Sequence, residues 1–87
     1  MTTPVAFAAC PAYDQVDRAI RRALDLLGGP AAFFAPGTRV LIKPNLLTDA
    51  TPERAVTTHP ELVRALIRLV REAGASPVVA DSPAGAL

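Results

Sequence analysis

Cysteine occurs once, at Cys10. No intrachain disulfide can form, and the four thiolates of an iron–sulfur cluster cannot be assembled from this chain alone. Histidine also occurs once, at His59, and one imidazole without a partner is a weak start for a metal site. Neither sign of charge dominates: nine basic residues face eight acidic ones, for a net charge of +1 and a pI near 8.0. That balance leaves no electrostatic footprint for nucleic acid or an acidic membrane. Lysine is nearly missing, Lys43 being the one example, and several of the arginines fall on the polar faces of expected helices, where solvation accounts for them. No run approaches the ~20 apolar residues needed to span a bilayer. The opening Met1-Thr2-Thr3-Pro4 lacks the basic region and apolar stretch of a secretory signal. A cytoplasmic protein with neither nucleic acid nor membrane as partner is the expectation.

Signatures of familiar chemistry are missing too. Pro11-Ala12-Tyr13 stands where a dinucleotide fingerprint would follow a first strand, and there is no Walker lysine, nucleophile elbow or Cys-x-x-Cys pair. A nucleotide-binding enzyme fragment is therefore the least favoured reading.

What is present is apolar. Hydrophobic residues make up 51% and charged residues 20% of the 87 positions, with a mean hydropathy of +0.30, which argues against disorder. A chain this short buries only roughly 60–65% of its unfolded surface, so a core it makes by itself is marginal. The sequence is too apolar for its size, and the expectation is that something outside the chain covers part of that surface.

The pattern alternates between strand and helix. Val5-Ala6-Phe7-Ala8-Ala9-Cys10, an apolar run between prolines, reads as a first strand. Asp14 opens a helix with Val16, Ala19, Ile20, Ala23, Leu24 and Leu27 on one face and Asp17, Arg18, Arg21, Arg22 and Asp25 on the other. Gly28-Gly29-Pro30 stops it, since glycine accepts the left-handed C-terminal conformation and proline cannot continue the helix. Phe33 and Phe34 suggest a helical turn under the sheet, and Pro36-Gly37 a turn. Arg39-Val40-Leu41-Ile42-Lys43 reads as a second strand, buried on both faces as parallel strands usually are. Pro44 to Thr58 is a long irregular connection, a length that in compact domains usually serves a purpose. A second helix starts at Thr58-His59-Pro60-Glu61, either with Thr58 and Glu61 as a capping box or with His59 as the cap and Pro60 in the first turn. Leu62, Val63, Leu66, Ile67, Leu69, Val70 and Ala73 form its apolar stripe, and Gly74 ends it. Pro77-Val78-Val79-Ala80 reads as a third strand, running into Asp81-Ser82-Pro83.

The expected fold is α/β: a three-stranded parallel sheet with two crossover helices, βαβαβ, residues 1–87 forming the N-terminal portion of a single domain. Three strands and two helices leave sheet faces and edges uncovered. The chain is therefore expected to be part of a larger α/β domain, completed by the remainder of a longer chain or by a partner polypeptide.

Open parallel sheets bind ligands beyond the carboxyl ends of their strands. Lys43 and Asn45 follow the second strand, Asp81 and Ser82 the third, and Thr57, Thr58 and His59 stand at the start of the helix between them. A helix N-terminus suits an anion, Lys43 adds a full charge, the threonines add hydroxyls, and Asp81 can hold a metal or orient a hydroxyl. The candidate ligand is thus an anionic small molecule bearing phosphate or carboxylate, with or without a metal. Each residue also has a plainer reading. Lys43 can be a solvated strand end, Asn45 an Asx turn, Thr58 or His59 a helix cap, and Asp81-Ser82 the cap of a following helix. Cys10 near the first strand's end reads as buried and inert.

Three segments together resemble the family known as domain of unknown function 362. They are Pro36-Gly37-Thr38-Arg39-Val40-Leu41-Ile42-Lys43-Pro44-Asn45-Leu46-Leu47, Ala55-Val56-Thr57-Thr58-His59-Pro60-Glu61, and Ala73-Gly74-Ala75 leading to Asp81-Ser82-Pro83. The resemblance runs from Val5 to Pro83. It implies a longer protein, often with a ferredoxin-like segment carrying four-iron, four-sulfur clusters, of undefined biochemical role. This chain departs from that pattern in lacking the cluster cysteines, and in having Ala80 and Ala84 where glycine is more usual. No cofactor is expected within the chain itself. The positions the resemblance carries over are Lys43, Asn45, Thr57, Thr58, His59, Asp81 and Ser82.

Two functions follow as expectations. One is the N-terminal segment of an iron–sulfur-associated protein with a strand-end cleft for an anionic ligand or metal. The other is a non-catalytic binding or interaction module, or a truncated gene product, that needs a partner chain. Neither the motifs nor the resemblance define a reaction.

Overall fold

The computed structural model of the protein describes residues 3–45 and 58–80. Among these, two α-helices and two parallel strands form: α1 (Val16–Leu26), β1 (Arg39–Ile42), α2 (Pro60–Glu72) and β2 (Ser76–Val79). Short 3-10 turns at Tyr13–Gln15 and Pro30–Ala32 precede and follow α1. Asp14, expected to open the helix, sits inside the first of these turns.

Both helices stop where glycine permits it, and by the same device. At the end of α1, Gly29 N–H donates to the Leu24 carbonyl and Gly28 N–H to that of Asp25. At the end of α2, Ala75 N–H donates to Val70 and Gly74 N–H to Arg71. Each pair satisfies carbonyls the helix leaves open, and each needs a left-handed residue just past the cap, supplied by Gly28 and Gly74.

β1 and β2 pair in parallel with Arg39 opposite Ser76, Val40 opposite Pro77, Leu41 opposite Val78 and Ile42 opposite Val79. Ser76 N–H donates to the Thr38 carbonyl and Ala80 N–H to that of Ile42, extending the ladder at both ends. α2 is the crossover between them. Its residue Val70 joins Ile42 and Ala75 in the buried core, with Phe34, Val40, Val63, Leu66 and Ile67 packed around. Phe34 thus fills the place foreseen under the sheet, whereas Phe33 stays half exposed. The apolar stripe of α2 is wide because two neighbours share it: the strands on one side and α1 on the other. Leu69, fully buried, borders a small hollow together with Pro30, Ala31 and Arg21.

Charged residues complete the helix pair. The Arg21 guanidinium donates to both oxygens of Glu72 at 2.8 and 2.5 Å and to Asp17 at 2.5 Å, while Arg68 donates to the other Asp17 oxygen at 3.1 Å. A face of α1 expected to be merely solvated therefore meets a face of α2.

The expected three-stranded sheet with two crossover helices does not form. Val5 to Cys10 is without strand structure and the sheet holds β1 and β2, so α1 precedes the strand pair instead of crossing between strands. The run is rich in alanine, a poor strand former. Its middle lies along α1, where Ala6, Phe7 and Ala8 line a groove with Val16, Ala19, Ile20, Ala23 and Leu62. Val5 is 90% and Phe7 86% exposed. A short apolar run between prolines looks the same whether or not a strand edge is there to receive it. β1 also differs from expectation. It is covered on one face, with Ile42 buried and Val40 half-buried, while Leu41 on the other face is 64% exposed. Cys10 is exposed, its thiol directed to the Ala12 carbonyl at 3.2 Å.

Candidate functional site

The alternation of β1 continues past its end. Ile42 and Pro44 are buried and Lys43 and Asn45 exposed, so the two polar residues fall on the side of the strand that α2 does not cover. At Asn45 the backbone turns to meet the start of α2. Asn45 N–H donates to the Thr58 hydroxyl oxygen at 2.8 Å, and Thr58 N–H donates to the Asn45 carbonyl at 3.1 Å. This reciprocal pair joins the carboxyl end of β1 to the amino end of α2. β2 ends on the same edge, since Ala80 N–H reaches the Ile42 carbonyl.

The two readings of the helix start are thereby decided. His59 is the N-cap: its Nδ1 accepts from the Glu61 N–H at 3.1 Å, with Pro60 in the first turn. Thr58 does not form a capping box, its hydroxyl being given to Asn45, and Glu61 pairs with Arg64 instead. The His59 carbonyl also accepts from Leu62 and Val63. The first donors of α2 are therefore satisfied within the chain.

Nδ1 can accept only without a proton, so the neutral ring carries its hydrogen on Nε2. The ring is held from its flat side as well. Tyr13 stacks on His59 with ring centroids 3.6 Å apart and planes inclined by 11°. The sequence reading missed Tyr13, treating it only as a residue where a glycine fingerprint was absent. Being the single tyrosine was its one distinguishing mark, and a contact between residues so far apart in the chain leaves no periodic trace.

Of the seven expected site residues, Lys43, Asn45, Thr58 and His59 lie at this edge, Asn45 and Thr58 in direct contact. Thr57, Asp81 and Ser82 lie outside the described residues. Among the described residues no group of three His, Cys, Asp or Glu side chains is placed to hold a metal ion. The donor set of an iron–sulfur cluster does not fit this chain either. Four thiolates are needed, and Cys10 is the sole cysteine. Among the described residues no helix is long and apolar enough to cross a membrane.

These features define an α/β unit with a parallel strand pair, one crossover helix and a polar edge where strand ends meet a helix start. The chain belongs to the family described as Domain of unknown function (DUF362), whose model matches residues 40–86. The match takes in all seven expected site residues and begins after α1. A thylakoid-associated protein of Synechocystis sp. is 52% identical over 65 residues, covering 75% of this chain. The chain spans about a fifth of that relative's length. No solved structure matches the chain.

Proposed function

We propose that the chain is the N-terminal segment of an iron–sulfur-associated protein, and that its strand-end edge binds an anionic ligand or a metal-assisted substrate. The observation that carries the binding part is the Asn45–Thr58 pair. It draws Lys43, Asn45, Thr58 and His59 to the edge of a parallel strand pair at which ligands usually bind. Because the cap occupies the first α2 donors, the charge of Lys43 and the field of the helix attract the anion, and free backbone N–H groups contribute little. Thr57, Asp81 and Ser82 complete the proposed site. The cluster of the reading belongs to another segment or another polypeptide, as this chain has one cysteine. The proposed location is cytoplasmic. The thylakoid association in the relative's name makes a membrane-surface location the competing outcome of cell fractionation. No nucleic-acid partner is proposed.

The test is titration of the chain with inorganic phosphate and with a small dicarboxylate, followed by amide chemical shifts. Saturable shifts at Lys43, Asn45 and His59 are expected. Lys43→Ala should weaken binding about tenfold, the scale of a lost charge-assisted contact, while leaving the unfolding midpoint nearly unchanged. Unchanged affinity, or loss of the fold, would count against a ligand role.

A second reading rests on a different observation. Leu41 and Val78, opposite one another in the ladder, are 64% and 39% exposed on the sheet face that α2 leaves bare. A non-catalytic module completed by the rest of a longer chain or by a partner polypeptide would place that face indoors.

A further inference from the structure

We propose that Tyr13, which lies outside the family-matched residues, is a positioning residue for His59. Its ring holds the imidazole in the Nε2–H form and so sets the single donor that this side chain offers at the strand-end edge. The inference rests on the ligand-binding reading above for its purpose, but not for its physical content.

Two contacts on different parts of the imidazole act together. The Glu61 N–H donates to Nδ1 at 3.1 Å, which keeps that nitrogen unprotonated. Tyr13 covers one flat side, nearly parallel at 11° and with centroids 3.6 Å apart. A capping side chain held only by its hydrogen bond can flip about χ2, which puts Cδ2 in place of Nδ1 before the Glu61 N–H and leaves Nδ1 free to take up the proton. Covering one flat side opposes that rotation, because turning the ring edge-on would drive it into the phenol. Near-parallel contact at this separation also takes the facing ring surfaces out of water. The 3-10 turn Tyr13–Gln15 brings the ring there and itself packs against α2. The residues before the family match therefore complete the edge that the family match defines. An imidazole fixed in this way is a neutral, directional donor, suited to an oxygen of a phosphate or carboxylate. Lys43 contributes charge without direction.

The experiment reads tautomer and binding separately, on the full chain. Nitrogen-15 shifts of His59 in a long-range proton–nitrogen spectrum report which ring nitrogen is protonated. The native chain should show the Nε2–H form, Tyr13→Phe should keep it, and Tyr13→Leu should give a mixture of the two forms with the helix retained by circular dichroism. Phosphate affinity should fall about fivefold in Tyr13→Leu, the scale of one well-placed hydrogen bond, and recover in Tyr13→Phe. Should Tyr13→Leu fail to fold, the Tyr13→Phe spectrum and the loss of intensity at His59 in Tyr13→Met decide in its place. A pure Nε2–H form in Tyr13→Leu or Tyr13→Met overturns the proposal whatever phosphate does. Absence of phosphate binding in the native chain, with tautomers responding as expected, overturns the anion reading and leaves the positioning role standing.

Discussion

At Gly74 the backbone must turn left-handed, with φ of +85°, and must also pass close to another segment. A Cβ placed there would lie 3.4 Å from the Cβ of Pro36, and the Gly74 carbonyl accepts from Gly37 N–H at 2.9 Å. The residue that ends α2 is thus also the one that lets the turn before β1 dock. Gly74→Ala should lower stability by about 1–2 kcal/mol, from left-handed strain on a residue with a Cβ, with further loss if Pro36 cannot move. Urea unfolding of both forms measures it; a difference within error would mean that the turn relaxes freely. His59 carries a similar double load, capping α2 through Nδ1 and stacking on Tyr13. From the sequence its cap role was one of two legible options, and Thr58 was the other. The choice between them depended on Asn45, a residue across the long connection, whose N–H claims the Thr58 hydroxyl.

The two helices were legible as elements because their apolar spacing and their terminating glycines are local features. How they face one another was not. Asp17, Arg21, Arg68 and Glu72 each look like ordinary polar-face residues, yet they make one network across the α1–α2 contact. The hydrogen bonds from Arg21 hold the Glu72 carboxyl below its ordinary value of 4.5, against a smaller opposing effect of desolvation, and push the Arg21 guanidinium further toward its charged form. A folded-state pKa that is depressed gives stability fully present above the unfolded value. That stability disappears as pH falls through the folded value. The contribution of this exposed pair should therefore be present from neutral pH down to about 4.5 and fade below it. Urea midpoints of the native chain and Glu72→Gln should differ slightly at neutral pH and converge in acid, and added salt should narrow the neutral gap. Divergence on acidification would contradict the assignment.

For the whole molecule, the consequence of the fold is an uneven distribution of cover. Both helices contribute to one side of the strand pair, α2 directly and α1 on its back, while Leu41 and Val78 remain exposed on the other side, Val79 at the strand end and Phe7 beside α1. The excess of apolar residues over what so short a chain can bury, visible in composition, here acquires an address. Leu41→Lys should change the unfolding free energy of the isolated chain by less than about 0.5 kcal/mol, as at any surface position. It should, however, abolish association with any polypeptide that covers this face. Sedimentation and urea unfolding check the two halves, and a large loss of stability in the isolated chain would show that Leu41 is already packed. The first strand was the error at this scale. Val5 to Cys10 has the apolar content of a buried strand, but a ladder requires a neighbouring edge, and its middle lies along α1 instead.

By itself the sequence determined what depends on neighbours along the chain: two amphipathic helices, their glycine stops, the strand character of Val40 to Ile42, and the family motifs around Lys43, Thr58 and Gly74. Helix periodicity and capping are decided within a few residues, so they can be read without knowing what lies opposite. Only the tertiary structure decided which apolar run finds a strand partner, which side of β1 is covered, and which polar groups meet. The Asn45–Thr58 pair, the Tyr13–His59 stack and the Arg21–Glu72 contact each join residues distant in sequence. Their formation is set by how α2 packs on the strands and α1 on α2, and no periodicity encodes that choice.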